Sequence, residues 1–238
     1  QPQPTERLRP IPRGAKPRAM DFEVDGLSCR RSGRIVLRNV AFTLAAGEAA
    51  VLRGPNGVGK STLLRMLAGF LPVAAGDARL GSISRVTDRQ GFQDQIVYAG
   101  HLDAVKPALT VSENLRLWAA LHGAATGAVD MALDRFGLSA IADRPAAECS
   151  AGQKRRLGLA RLLVIDRPLW LLDEPTVSLD TASAGLVAEL VQAHLAGGGL
   201  ALVATHIDLG LAAAKEIALT PAADIPTETR DPFLEGTW

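Results

Sequence analysis

Cysteine, aromatic residues and long apolar runs are all scarce in this chain of 238 residues. Its two cysteines, Cys29 and Cys149, are too few for a disulfide framework or a structural zinc site. No run reaches the roughly 18 apolar residues that a bilayer-spanning helix needs, and the first residues lack the charged-then-apolar pattern of a secretory signal. We therefore expect a chain that neither spans a membrane nor is exported, and that works in a reducing cytosol.

Net charge is small and unevenly distributed. The chain carries a formal +1, but residues 1–20 hold five basic residues against Glu6, which leaves −3 on the remainder. A domain with that balance lacks the basic surface that nucleic-acid binding requires. The same twenty residues are rich in proline and poor in apolar side chains, which predicts a disordered tail. Met20 is a candidate native start, and the alternative is that the tail belongs to the chain.

Short apolar runs predict a mixed α/β fold. Runs at 35–37 and 40–44, bounded by Gly33 and by a turn at 46–47, are typical of short strands. Continuous apolar runs at 49–52, 169–172 and 200–204 predict fully buried strands, and residues 60–70 have helical spacing. Buried strands that alternate with helices belong to a parallel sheet covered on both faces.

A middle block of the chain predicts helices only. Thr110 and Glu113 form a capping-box pattern before apolar positions at 115, 117, 118 and 121, and similar spacing recurs at 129, 133 and 136. We expect a core at about 21–102 and 166–220, a helical subdomain at about 103–165 and a C-terminal extension at 221–238.

A glycine-rich segment between a predicted strand and a predicted helix has the phosphate-loop pattern G-x-x-x-x-G-K-[ST]. It reads Gly54-Pro55-Asn56-Gly57-Val58-Gly59-Lys60-Ser61. Glycine lets successive backbone N–H groups point at phosphate oxygens, and the helix that follows adds its positive N-terminal dipole. We expect Lys60 to reach the β- and γ-phosphates, Ser61 to bind Mg²⁺, and Thr62 to donate to a nearer phosphate.

Two further segments contain candidate residues for metal binding, water activation and phosphate binding. Asp173 and Glu174 follow a buried strand, where open α/β sheets bind ligands, so Asp173 suits the Mg²⁺ shell and Glu174 suits the activation of water. On their own, two such acids are more often a solvated strand end. Ser150 is a natural N-cap for a helix over KRRLGLARLLV, which makes a second phosphate-seeking end, although such a segment on its own is more often an ordinary capped helix.

Five segments in order carry a family resemblance. They are GPNGVGKST, CSAGQ, LWLLDEP, Ser178-Leu179-Asp180, and His206 after an apolar strand. Over about residues 20–220 the chain resembles the nucleotide-binding subunits of ATP-binding-cassette transporters. The resemblance implies a P-loop NTPase fold, with a RecA-like core of mostly parallel sheet, an antiparallel β edge and an all-helical insert.

The resemblance also implies an assembly. ATP and Mg²⁺ at one subunit's loop would be capped by the other subunit in a head-to-tail homodimer. Ser150, Gly152 and Gln153 would contact the γ-phosphate of the partner's ATP. Asp180 would lie at the dimer seam, and His206 would be the switch histidine, although alone it would fit a core histidine.

Three departures from the general pattern narrow the resemblance. Ala151 occupies a position where the family has glycine, and His101 occupies one where it has glutamine. Cys29-Arg30-Arg31 replaces the aromatic residue that stacks on adenine. With these departures the chain resembles the ATP-binding subunits of the bacterial cytochrome c biogenesis haem exporter. That implies an ATPase at the cytoplasmic face of the inner membrane, with integral membrane subunits as partners. Export of another cargo and a non-transport regulatory switch remain the alternatives.

Overall fold

The structure, a computed structural model, describes residues 20–31, 34–211 and 214–221. The predicted tail and C-terminal extension, apart from Met20 and Pro221, lie outside the described residues. The strands are β1 (Phe22–Arg31), β2 (Arg34–Leu44), β3 (Ala49–Arg53), β4 (Ala75–Leu80), β5 (Ile83–Ser84), β6 (Ile96–Ala99), β7 (Leu169–Asp173), β8 (Leu200–Ala204) and β9 (Lys215–Ala218). The helices are α1 (Lys60–Leu67), α2 (Arg89–Gln93), α3 (Val111–His122), α4 (Ala128–Arg135), α5 (Ala151–Val164) and α6 (Thr181–Ala196).

Two sheets organise the described part of the chain. Five parallel strands pair in the order β6-β7-β8-β3-β9, and four antiparallel strands pair in the order β2-β1-β4-β5. The predicted α/β fold with a mostly parallel sheet is therefore confirmed, and its antiparallel strands form a sheet of their own. In the parallel sheet, the ends of β7 and β8 meet because Asp173 lies opposite Ala204.

The three central strands of the parallel sheet, β7, β8 and β3, are buried on both faces, which explains their continuous apolar runs. Leu169 and Leu171 of β7 pack with α1 and the antiparallel sheet. Trp170 and Leu172, which alternate with them, pack with α3, α4, α5 and α6. Successive side chains of a strand point to opposite faces, so one short segment contributes to two cores.

Two sequence expectations differ from the structure. The runs at 35–37 and 40–44 form a single strand, β2, which bends at Asn39, where φ is 50° and the register to β1 shifts. The helix expected at 60–70 ends at Leu67, because Gly69 adopts a left-handed backbone with φ 87°. Phe70, expected on its apolar face, is 67% exposed.

The block at 103–165 contains α3, α4, α5 and two 3₁₀ turns at Ser139–Ile141 and Ala146–Glu148. The capping box that begins α3 is confirmed: the Glu113 N–H donates to Thr110 Oγ1 at 3.1 Å, and the Thr110 N–H donates to Glu113 Oε2 at 2.8 Å. Within the described ranges, no helix has the length and hydrophobicity to cross a membrane.

Candidate functional site

The phosphate-loop pattern folds as a tight loop between β3 and α1. Gly54, Gly57 and Gly59 all have positive φ, at 142°, 81° and 114°. A Cβ at Gly59 would lie 2.7 Å from Leu37 Cδ2, and one at Gly54 would lie 2.7 Å from the Leu219 carbonyl oxygen. Both conformation and space therefore require glycine at these two positions.

Lys60 is the first residue of α1 and is buried. Its ammonium group donates to the carbonyl oxygens of Gly54 at 2.7 Å and Pro55 at 3.2 Å. The positive charge is thus held inside the loop, beside the N-terminus of α1, where an anion is favoured. Thr62 follows in the same first turn and is partly buried.

The loop contacts the end of β7 through one short hydrogen bond. Ser61 Oγ donates to Asp173 Oδ1 at 2.9 Å. Asp173 is 2% exposed, and its second oxygen accepts a hydrogen bond from the Tyr98 hydroxyl at 3.3 Å. Residues 112 positions apart in the chain therefore place a hydroxyl and a carboxylate together.

Glu174 and His206 meet at the ends of β7 and β8. Glu174 Oε1 lies 3.5 Å from His206 Nε2, and the His206 side chain is 54% exposed. Glu174 has a left-handed backbone with φ 48°, and its N–H donates to the Ala204 carbonyl oxygen at 2.8 Å. A non-glycine residue in this conformation carries strain, and such strain clusters at functional sites.

The segment that begins α5 also forms a capping box. Gln153 N–H donates to Ser150 Oγ at 3.2 Å, and the Ser150 N–H donates to Gln153 Oε1 at 2.8 Å. A Cβ at Gly152 would lie 3.5 Å from the Ser178 carbonyl oxygen, so this helix end lies beside the segment that leads to α6. The predicted N-cap role of Ser150 is confirmed.

Asp180 caps α6 by accepting a hydrogen bond from the Ser183 N–H at 2.7 Å. That backbone hydrogen bond holds the pKa of Asp180 below its usual value. Ser150 and Asp180 are both exposed. In the part of the chain that the structure describes, no hydrogen bond or ion pair joins residues 150–153 or Asp180 to the phosphate loop.

The three departures from the family pattern lie at different places. Cys29 is buried in β1 opposite Leu37, whereas Arg30 and Arg31 are exposed at the end of the same strand. His101 is exposed two residues after β6. Arg30 pairs with Ile35 of β2, and Arg31 pairs with Arg34, so exposed guanidinium groups lie at the sequence positions of the family's aromatic residue.

Arg155 was missed by the sequence analysis. Its side chain is buried, and its guanidinium donates to the carbonyl oxygens of Glu174 at 2.6 Å and Gly100 at 2.8 Å and to Asp103 Oδ1 at 2.9 Å. A buried arginine needs such partners. The available signal was a run of basic residues within an otherwise apolar helix, KRRLGLARLLV.

Arg161, six residues later in α5, contacts the same part of the chain. It donates to the Tyr98 carbonyl oxygen at 2.7 Å and lies 5.5 Å from the centre of the Trp118 ring. Burial lowers the pKa of Arg161 to about 10. Two buried arginines therefore join α5 to β6 and to the residues that follow it.

The residues present could hold a magnesium ion. Ser61 and Asp173 supply the oxygen donors that Mg²⁺ prefers. Across residues 20–31, 34–211 and 214–221, no group of three or more histidine, cysteine or acidic side chains could hold a metal. The hydroxyl–carboxylate pair beside the phosphate loop is therefore suited to a cation that also binds phosphate.

Comparisons with known proteins show the family of this chain. A family model described as ABC transporter matches residues 37–177. The chain is 51% identical over 222 residues to the cytochrome c biogenesis ATP-binding export protein CcmA of Cereibacter sphaeroides, covering 92% of this chain and 100% of the relative. It is 55% identical over 205 residues to the CcmA of Rhodobacter capsulatus, covering 86% and 90%.

Solved structures share the fold. An ATP-binding subunit of an ABC transporter has a TM-score of 0.76 and 26% identity, covering 83% of this chain and 85% of that one. An ATP-binding cassette solved as a dimer in a post-hydrolysis state, bound to ADP and Pi, has a TM-score of 0.73 and 24% identity, covering 84% and 94%.

Proposed function

This chain belongs to the ABC transporter family of ATP-binding subunits, among the relatives named CcmA, and we propose that it hydrolyses ATP to drive the export step of cytochrome c biogenesis. The family resemblance carried by its five segments is thereby confirmed. The observation that carries the proposed chemistry is the 2.9 Å hydrogen bond from Ser61 to Asp173, which joins the phosphate loop to the strand that ends at Glu174.

The phosphate loop holds the triphosphate. The free N–H groups of the glycine loop and of residues 60–62, at the N-terminus of α1, would donate to the β- and γ-phosphates, and Lys60 would exchange its two carbonyl partners for phosphate oxygens. Thr62 donates to a nearer phosphate. Ser61 and Asp173 would hold Mg²⁺, which neutralises the charge that develops on the phosphates.

Glu174 activates the attacking water. Its carboxylate takes a proton as the water oxygen bonds to the γ-phosphorus, and the bond from that phosphorus to the bridging oxygen breaks, leaving ADP and phosphate. His206 Nε2 lies 3.5 Å from this carboxylate, and we assign it the role of switch histidine. The strained backbone of Glu174 is consistent with such a positioned base.

A second copy of the chain completes each site. Ser150, Gly152 and Gln153 present an exposed helix end that we assign to the γ-phosphate of the partner's ATP, with Asp180 at the seam between copies. The further partners are integral membrane subunits of the haem-handling cytochrome c maturation complex. We place the chain as a peripheral subunit at the cytoplasmic face of the bacterial inner membrane, with haem export as the step it powers.

The variant Glu174→Gln tests this function. It removes the proton acceptor but keeps the shape of the side chain, so ATP turnover should fall at least about a hundredfold while ATP affinity stays within about threefold. Phosphate release and the binding of a fluorescent ATP analogue measure the two quantities. The ATP-bound dimer should accumulate in size-exclusion chromatography, and undiminished turnover would remove Glu174 from the mechanism.

A further inference from the structure

The Tyr98 side chain lies between an arginine and the Asp173 carboxylate. Its hydroxyl oxygen is 3.3 Å from Asp173 Oδ2 and 3.4 Å from Arg65 Nε. Asp173 Oδ1 is meanwhile taken by Ser61. Both oxygens of this buried carboxylate therefore have a partner, and the two partners come from different elements, β6 and α1.

The direction of these hydrogen bonds follows from their chemistry. An arginine can only donate, so Tyr98 accepts from Arg65 and gives its single proton to Asp173. A tyrosine phenol ordinarily keeps its proton at neutral pH, so Tyr98 has this proton to donate. Arg65 thus acts on Asp173 through one neutral hydroxyl.

The ring of Tyr98 is held in place from two sides. A Cβ at Gly100 would lie 2.6 Å from the Tyr98 hydroxyl oxygen, so the ring covers the backbone at a residue that has no side chain. On another side, Phe70 packs edge-on with 5.5 Å between ring centres. The hydroxyl is therefore directed at Asp173 by packing as well as by hydrogen bonds.

We propose that Tyr98 is a positioning residue that holds Asp173 Oδ2, leaves Oδ1 alone to bind the metal, and so favours Mg²⁺ over Ca²⁺. Mg²⁺ demands near-octahedral geometry and is well served by single carboxylate oxygens, whereas Ca²⁺ also accepts both oxygens of one carboxylate. Oδ2 stays bonded to Tyr98 when Ser61 turns from Oδ1 to the metal, and a carboxylate with one free oxygen suits the smaller ion. This inference rests on the proposed function, specifically on Asp173 as a metal ligand.

The variant Tyr98→Phe removes the hydroxyl and keeps the ring that packs on Phe70 and Gly100. Its dissociation constant for a fluorescent ATP analogue should be measured with Mg²⁺, with Ca²⁺ and in EDTA. We expect the Mg²⁺ value to rise about tenfold, as is typical when a residue that orients a metal ligand is lost. The Ca²⁺ and EDTA values should stay within about threefold. Equal shifts with both ions, or no shift with Mg²⁺, would overturn the inference.

Two further variants serve as controls for this test. Gly100→Ala keeps the hydroxyl but displaces the ring, so it should shift the Mg²⁺ value in the same direction. Ser139→Ala removes a hydroxyl that donates to Asp134 at 2.5 Å in the helical block, and it should change none of the three values. Thermal unfolding confirms that each variant is folded.

Asp173→Asn separates the inference from the function on which it rests. If this variant still binds the analogue as tightly with Mg²⁺ as the unaltered chain does, Asp173 is not a metal ligand and the proposed metal site fails. If Asp173→Asn loses the effect of Mg²⁺ while Tyr98→Phe keeps it, the metal site stands and only the role of Tyr98 fails.

Discussion

Gly59 shows how a single residue is fixed by its surroundings. It has φ 114° at the start of α1, and a Cβ there would meet Leu37 of β2 at 2.7 Å. The nearby Gly57 has φ 81° with no atom within 4 Å of its would-be Cβ. The two glycines thus share a backbone requirement, and only Gly59 adds a steric one.

We predict that Gly59→Ala lowers the free energy of unfolding by about 1–3 kcal/mol and abolishes nucleotide binding, because Leu37 and the loop must both shift. Gly57→Ala, the matched control, should lower the free energy of unfolding by about 1 kcal/mol, because it adds backbone strain alone. Urea unfolding and analogue binding measure the two effects. Equal losses of stability in the two variants would show that contact with Leu37 is unimportant.

The sequence predicted one kind of site residue and missed another. Ser61, Asp173 and Glu174 could be predicted because each lies in a local sequence pattern, a glycine-rich loop or the end of an apolar strand. Tyr98 and Arg155 were not, because their roles depend on which backbone and side-chain atoms the fold brings within 3.5 Å, and no local pattern encodes those approaches.

Among the elements, α5 connects several parts of the site. It begins at the capping box of Ser150, and Arg155 reaches from its first half to Gly100, Asp103 and the Glu174 carbonyl oxygen. A Cβ at Gly158 would lie 2.8 Å from Asp103 Cβ, so the helix also packs closely on the segment after β6. Glu174 thereby has its N–H held by β8 and its carbonyl held by α5.

We predict that Arg155→Lys lowers kcat about tenfold with KM within about twofold. Lysine keeps the charge but lacks the planar fork that serves three acceptors, so the backbone at Glu174 loses a constraint. Steady-state phosphate release measures both constants. Arg156→Lys makes the same change one residue on, where the guanidinium donates to the Phe136 carbonyl oxygen at 3.0 Å, and should leave kcat unaltered.

A fall in kcat of equal size in both variants would show that Arg155 acts only through the stability of α5. So would a fall in Arg155→Lys that adds in full to the loss in Glu174→Gln. If Arg155 acts by orienting Glu174, the double variant should turn over no more slowly than Glu174→Gln alone.

At the scale of elements, the buried strands were predicted well, since a continuous apolar run has one interpretation when helices alternate with it. The helix at 60–70 was predicted too long because Phe70 fits the helical spacing, although it packs on Tyr98 from outside the helix. The single strand β2 was split because its bend at Asn39 interrupts the apolar pattern.

In the whole molecule, the candidate residues form two groups. Lys60, Ser61, Asp173, Glu174 and His206 are linked by the phosphate loop and the ends of β7 and β8. Ser150 and Asp180 lie at the exposed starts of α5 and α6, and among the described residues neither contacts the phosphate loop. A homodimer with twofold symmetry would pair the first group of each copy with the second group of the other.

This arrangement predicts that two inactive variants restore each other. Lys60→Ala disables the phosphate-loop half of a site, and Ser150→Arg disables the capping half. In a mixed dimer, one site combines the altered phosphate loop of the first variant with the altered α5 of the second. The other site has neither substitution. With random pairing at equal amounts, half of the dimers are mixed and each has one intact site, so about a quarter of the normal ATPase activity should return.

Lys60→Ala mixed with Glu174→Gln is the matched control. Both defects lie in the phosphate-loop half, so each site of the mixed dimer keeps one of them and activity should stay at the level of the separate variants. Phosphate release from mixtures of defined ratio decides between the two arrangements. If the mixture of Lys60→Ala and Ser150→Arg also shows only the ATPase activity of the two separate variants, each copy hydrolyses ATP without its neighbour's α5. Ser150 then has no part in the partner's site.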